Sequence, residues 1–239
     1  MIIAEIGLNH LGNAEFAEKY CLGLCNVKYL DGITFQVREE EHVIKKPHLY
    51  FDPSEYRRLF KIIQDRNKLV GIAINSNRVD FFEDLGVDFY KVIRDGVFYK
   101  DLLSSLAKTG KPTLVSVGLC DDQDLASLSK HIKHSGGDIR LVYTNRKSNR
   151  LEDANISEIQ RLKKYCSKVA YGSHCESYVD LFLSLPYHPS DLLFYVKDSN
   201  VGQELPDDIW AIEINEVQDV TEKINLYSRA LGSGDYCVL

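Results

Sequence analysis

The stretch that decides the fold is Ile2-Ile3-Ala4-Glu5-Ile6-Gly7-Leu8-Asn9-His10-Leu11-Gly12. Ile2 to Ile6 is a short β-branched run, the pattern of a buried strand, broken once by Glu5 near its C-terminal end. A carboxylate there is costly unless it meets water, a partner or a ligand. Gly7 and Gly12 bracket a turn carrying the polar pair Asn9-His10, and a helical pattern starts at Asn13. A polar group closing a parallel strand, then a polar turn, then a helix, is how a barrel enzyme presents its active site. A strand with an ion-paired Glu5 and a surface Asn-His turn would read the same way.

Outward from this unit the chain alternates. Strands are predicted at Gly32 to Val37, Lys68 to Ile74, Asp88 to Ile93, Pro112 to Val117, Ile139 to Thr144, Lys168 to Gly172 and Leu192 to Val196. Helices are predicted at Asn13 to Val27, Pro53 to Arg66 with Asp52 as N-cap, Asn77 to Leu85 and Val97 to Lys108. Further helices follow at Asp121 to His134, Asn155 to Tyr165, Ser177 to Leu185 and Val217 to Leu231. Eight strand–helix pairs with apolar strands call for a parallel sheet, and the count and length match a single α/β (β/α)8 TIM barrel over residues 1–239. An open doubly wound sheet would usually carry a Gly-rich phosphate turn after its first strand, and Gly7 to Gly12 lacks that spacing.

Composition excludes several classes. With 44% hydrophobic and 27% charged residues the chain is an ordinary globular protein. A net charge of -6 argues against nucleic acid or an anionic membrane as partner. No apolar run approaches the ~20 residues of a membrane span. Six scattered cysteines read as reduced thiols, which places the protein in the cytoplasm. Cys21 and Cys25 share an apolar stripe with Phe16, Ala17, Tyr20 and Leu24, so they read as core.

Chemistry in a barrel sits where strands end. Those ends carry Glu5, Asn9, His10, Gln36, Arg38, Asn75, Ser76, Lys91, Arg94, Asp95 and Ser116 in the first half. The second half adds Thr144, Asn145, Arg146, Lys147, Tyr171, Ser173, His174, Lys197, Asp198 and Asn200. Lys91 lies inside an apolar strand and needs an anion, either Glu5 or a bound phosphate. Lys91 and Arg94 end one strand and Ser116 the next, only ~4.8 Å away, so the three are expected to form an anion site.

These pieces resemble the sialic acid synthase (NeuB-type nonulosonate synthase) family. The matches are Ile3-Ala4-Glu5-Ile6-Gly7 with Asn9-His10 and Gly12, Phe35-Gln36, Leu85-Gly86-Val87 and Tyr90-Lys91-Val92. Ala107-Lys108-Thr109-Gly110-Lys111-Pro112 with Ser116 and Gly118, Glu152 to Ile156, and Tyr171-Gly172-Ser173-His174 continue the series. The resemblance implies condensation of phosphoenolpyruvate with an N-acetylated sugar aldehyde in surface-carbohydrate biosynthesis. It implies sugar contacts from Glu5, Gln36 and Asp207, phosphoenolpyruvate contacts from Lys91 and Ser116, and a divalent manganese or magnesium ion on His174. Glu5 and His174 are the expected catalytic residues, and Gln36, Lys91, Arg94, Ser116 and Asp207 the expected substrate-binding ones. The resemblance also implies a homodimer.

The departures shape the expectation. Where the family has Lys-Phe-Gln, this chain has Thr34-Phe35-Gln36; where it has His-Cys-Thr, this chain has Val142-Tyr143-Thr144. One phosphoenolpyruvate-binding lysine and one metal-binding histidine are therefore missing, so the metal site is expected to be weak or lost. Arg94 stands where the family has a serine, and the family's small C-terminal antifreeze-like domain is not expected. Two readings stay open: a synthase of altered specificity, in which Arg94, Arg146 and Lys147 restore positive charge, or a catalytically silent barrel that binds a sugar, a phosphate or a protein partner.

Overall fold

The computed structural model describes residues 1–38, 44–74, 78–93 and 99–232. The barrel strands are β1 Ile2–Gly7, β2 Gly32–Gln36, β3 Leu69–Ile74, β4 Phe89–Val92, β5 Thr113–Ser116, β6 Ile139–Tyr143, β7 Val169–Gly172 and β8 Leu192–Lys197. Between and after them run α1 Ala14–Cys25, α2 Pro53–Gln64, α3 Val79–Asp84, α4 Lys100–Thr109, α5 Asp122–Ser135, α6 Glu158–Leu162, α7 Val179–Ser184 and α8 Val217–Leu231. Each strand pairs in parallel with the next, and β1 also pairs with β8, so the sheet closes. The single (β/α)8 barrel expected from the alternation is the architecture.

The two faces of each strand explain the two cores. Outward residues such as Ile6, Phe35, Ile72 and Tyr90 pack under the helices, where Tyr56 and Phe60 of α2 meet Phe35 and Phe82 ring against ring. Inward residues Ile3, Phe89, Leu114, Val142, Ala170 and Leu193 form a separate apolar layer that plugs the barrel. Phe89 fills the space that β2 and β3 leave with Gly32 and Gly71; a Cβ on Gly71 would come within 2.2 Å of the phenylalanine ring. Below that plug, at the N-terminal face, Asp191 is buried between the Met1 ammonium (3.1 Å) and Arg140 (2.7 Å). Ionic stability contacts occupy one end of the barrel, which leaves the C-terminal ends of the strands for function.

Caps set the helix starts. Asn13 accepts from the backbone of Glu15 and Phe16, Asp52 accepts from Ser54 N, and Asp121 with Asp124 forms a capping box. The predicted helix at Asn155 to Tyr165 shrinks to α6, because Leu151–Asp153 winds as a 3-10 turn and Asn155 takes φ 46°, a left-handed conformation no α-helix passes through. An unpredicted two-residue strand, β9 Ile212–Glu213, pairs with β8 inside the long loop before α8. Among the described residues, no helix is long and apolar enough to cross a membrane.

Candidate active site

The site is built around Glu5. The pleat turns Glu5 of β1 and Lys91 of β4 into the barrel, and β3 between β2 and β4 offers only Gly71 and Ala73 on that side. The lysine chain therefore reaches across, and its Nζ donates to Glu5 Oε1 at 2.5 Å and Oε2 at 2.8 Å. Both residues are buried, Glu5 at 3% and Lys91 at 5% exposure, so each satisfies the other's charge.

The first turn holds the opposite wall. Asn9 is fully buried, donates from Nδ2 to Val196 O at 2.8 Å, and accepts the backbone N–H of Asp207 at 3.0 Å. His10 is buried as well, its ring 4.5 Å from that of Phe51, so the pair that could have been a surface turn is structural. Burial pushes His10 down to about 4 and keeps it uncharged near neutrality. Gly7 at φ 56° passes against the wall so closely that a Cβ would lie 2.9 Å from Asp207 Oδ2. Burial, then the nearby charge of Glu5, pushes the Asp207 carboxyl up to about 6.

β7 delivers His174. Its ring stacks on Trp210 at 4.9 Å with only 5° between planes, and meets Tyr195 edge-on at 5.5 Å. Burial, then the positive charges of Lys91 and Arg146, lowers His174 to about 3, so the imidazole is neutral. The loop carrying it is anchored from beneath by Asp180, which is fully buried. Asp180 accepts the Tyr171 hydroxyl at 2.7 Å and Leu181 N at 2.9 Å, and the nearby side chains of Tyr171, Ser173 and Cys175 oppose the rise that burial gives its carboxyl.

These parts enclose a cavity of about 190 Å3 at the barrel mouth. Of the residues expected from the sequence, Gln36, Lys91, Ser116, His174 and Asp207 line it together, with Glu5 just beneath on Lys91. Arg38, Thr144 and Arg146 from the strand-end roster also line it. Arg94, with Asn75, Ser76 and Asp95, lies outside the described residues. Lys197 turns away to Asp208 at 2.7 Å, and Asp198 binds Lys19 and Asn200 behind the wall. Tyr195 and Trp210 were not expected. Tyr195 was within reach of the pleat rule, two residues past the inward Leu193; Trp210, in an irregular loop, left no periodic signal.

The NeuB family's sequence pattern matches residues 30–187, about two thirds of the chain. The chain belongs to the NeuB family. Its relatives include an uncharacterised protein of Methanocaldococcus jannaschii, 27% identical over 98% of this chain and 72% of that protein. Pseudaminic acid synthase of Campylobacter jejuni is 22% identical over 98% of this chain and 75% of its own length. Among solved structures, the N-acetylneuraminic acid synthetase of Leptospira borgpetersenii, in complex with citrate, superposes with a TM-score of 0.88 at 20% identity, covering 98% of this chain and 85% of that one. The NeuB relatives thus connect this fold to sugar biosynthesis.

The divalent ion implied by the family resemblance meets a poor donor set. His174 is the one retained nitrogen donor, its ring lies flat on Trp210, and two cations raise the positive potential around it. Val142 sits in the apolar plug and has no donor atom. Among the described residues no three His, Cys, Asp or Glu side chains gather as a metal site. Those residues do not fit a divalent ion, which prefers several oxygen or nitrogen donors.

Proposed function

We propose that this barrel joins phosphoenolpyruvate to an N-acetylated sugar aldehyde, with a specificity and charge arrangement of its own. The observation that carries the reading is the Glu5–Lys91 pair: a fixed cation floors a small cavity bordered by Arg38, Arg146 and Ser116 and faced by Asp207. Arg38, Arg146 and Ser116 hold the phosphate and carboxylate of the enol, with Lys91 supplying charge from below. Gln36 addresses the sugar, and Glu5 beneath the cavity holds Lys91 in place. C3 of the enol phosphate adds to the aldehyde carbon, and the aldehyde oxygen takes its proton from Asp207, whose raised pKa keeps a protonated fraction available near neutrality. Water then adds at C2, hydrogen-bonded to neutral His174, and the proton it loses returns to the Asp207 carboxylate. Cleavage of the bond from C2 to the phosphate oxygen releases inorganic phosphate and leaves a 2-keto acid.

The test is incubation of the chelator-treated protein with phosphoenolpyruvate and a panel of N-acetylated hexosamines and their phosphates. Phosphate release matched by a product of the condensed mass supports the reading. A second reading, a silent binding barrel, is favoured by the hold of both Glu5 oxygens on Lys91, which leaves that ammonium committed. Thermal stabilisation by phosphoenolpyruvate or a sugar with no product from any acceptor selects it. No stabilisation and no product would remove both.

A further inference from the structure

Beside the mouth lies a second cavity, of about 370 Å3, between the end of β2 and the starts of α2 and α3. Gln36 and Arg38 border both cavities, so the two spaces adjoin. The back wall is buried and aromatic: Phe51, Tyr56 and Phe82. It is a braced wall, with Phe51 edge-on to Tyr56 at 5.1 Å and Tyr56 edge-on to Phe82 at 5.7 Å. The His10 ring packs on Phe51, and among the described residues its Nε2 finds no hydrogen-bond partner.

The open edge is different in kind. Tyr50 is 48% exposed and Phe81 38% exposed, so two aromatic side chains border the cavity while facing water. Arg78 stands with them, exposed, and among the described residues it has no ion-pair partner. Aromatic faces suit the C–H faces of a sugar ring, and a guanidinium fork suits a phosphate. The Glu5–Lys91 floor is in the neighbouring cavity, so this charge is independent of the mouth.

We infer that this second cavity is a subsite for the distal end of the acceptor, seating a sugar face against Tyr50 and Phe81 and a phosphate ester on Arg78. Its role as an acceptor subsite rests on the condensation proposed above, with a phosphorylated sugar as the substrate. The aldehyde end lies at the mouth, and Gln36 and Arg38 mark the passage between the two.

Calorimetric titration of the full chain tests the inference with N-acetylglucosamine, its 6-phosphate, UDP-N-acetylglucosamine, inorganic phosphate and phosphoenolpyruvate. The 6-phosphate is expected to bind about tenfold more tightly than the neutral sugar, a ratio that falls to about one in Arg78→Gln. Arg57→Gln, an exposed change on α2 that lines neither cavity, keeps the ratio. Tighter binding of the UDP-sugar than of the 6-phosphate overturns the inference, because the diphosphate locks the anomeric carbon and leaves no aldehyde to present at the mouth. Equal binding of phosphorylated and neutral sugar, a ratio untouched by Arg78→Gln, or inorganic phosphate binding as tightly as the 6-phosphate overturns the inference. Phosphoenolpyruvate reports on the mouth separately: its failure to bind, with the Arg78 dependence intact, removes the condensation and leaves the subsite standing.

Discussion

Lys91 Nζ donates to both carboxylate oxygens of Glu5, from β4 across the barrel to β1, with both side chains buried. A pair of this kind is weak support for stability as a unit, but removing one partner strands a charge in a dry interior. Glu5→Gln and Lys91→Met are each expected to destabilise the protein by about 3–5 kcal/mol in urea unfolding. The double variant is expected to lose clearly less than the sum, because neither charge remains unpaired. Additive losses would show that the two side chains act separately.

Asp207 makes stability depend on pH. Its carboxyl moves from 3.8 to about 6 on folding, so below about 4 both states hold the proton and the group is silent. Between those values the folded state alone keeps the proton, and above about 6 folding bears the full cost of the buried charge. Stability attributable to Asp207 therefore falls as pH rises through this window. Asp207→Asn should match the wild type near pH 4 and melt at a higher temperature at pH 7. A difference in melting temperature that stays constant across the range, or shrinks as pH rises, would contradict the assignment.

Asp180 accepts the Tyr171 hydroxyl and lies near Ser173 and Cys175, the chain neighbours of His174, so it is expected to position that ring. Asp180→Ala leaves the Tyr171 hydroxyl without its partner in a buried site, at a cost of about 1–3 kcal/mol. The specific expectation is a shift and broadening of the His174 ring resonances, since the loop loses its anchor while Trp210 is unchanged. Tyr171→Phe removes that bond but keeps the carboxylate, so His174 should move far less. Unchanged His174 resonances in Asp180→Ala would remove the positioning role.

Manganese is expected to bind the unmodified protein only weakly. His174 faces Lys91 and Arg146, and Val142 lies in the plug with Phe89 and Ala170. Val142→His supplies a second nitrogen and is expected to raise manganese affinity, read by water-proton relaxation. Stoichiometric manganese in the unmodified protein would show the donor set to be richer than His174.

The local sequence determined a good deal. Strand periodicity and eight alternations specified the barrel, because a parallel strand buried on both faces must be apolar, and a helix over it must be amphipathic. Glu5 and Lys91 stood out for the same reason, as charges inside apolar strands, and the pairing between them was already one of the two readings open for Lys91. The cap at Asp52 was legible because a cap is a contact within four residues, whereas Asn13 and Asp121 were read only as helix starts and cap their helices in the structure.

What only the tertiary structure decided lies between segments far apart in the chain. Asn9 holds Asp207 across 198 positions, Trp210 stacks on His174 out of an irregular loop, and Asn9-His10 turned out buried where the sequence allowed a surface turn. The second cavity is likewise assembled from the ends of β2, α2 and α3. None of these follows from periodicity, because closing the barrel sets which loop ends share the mouth, and the resulting burial and charge set which groups carry protons there.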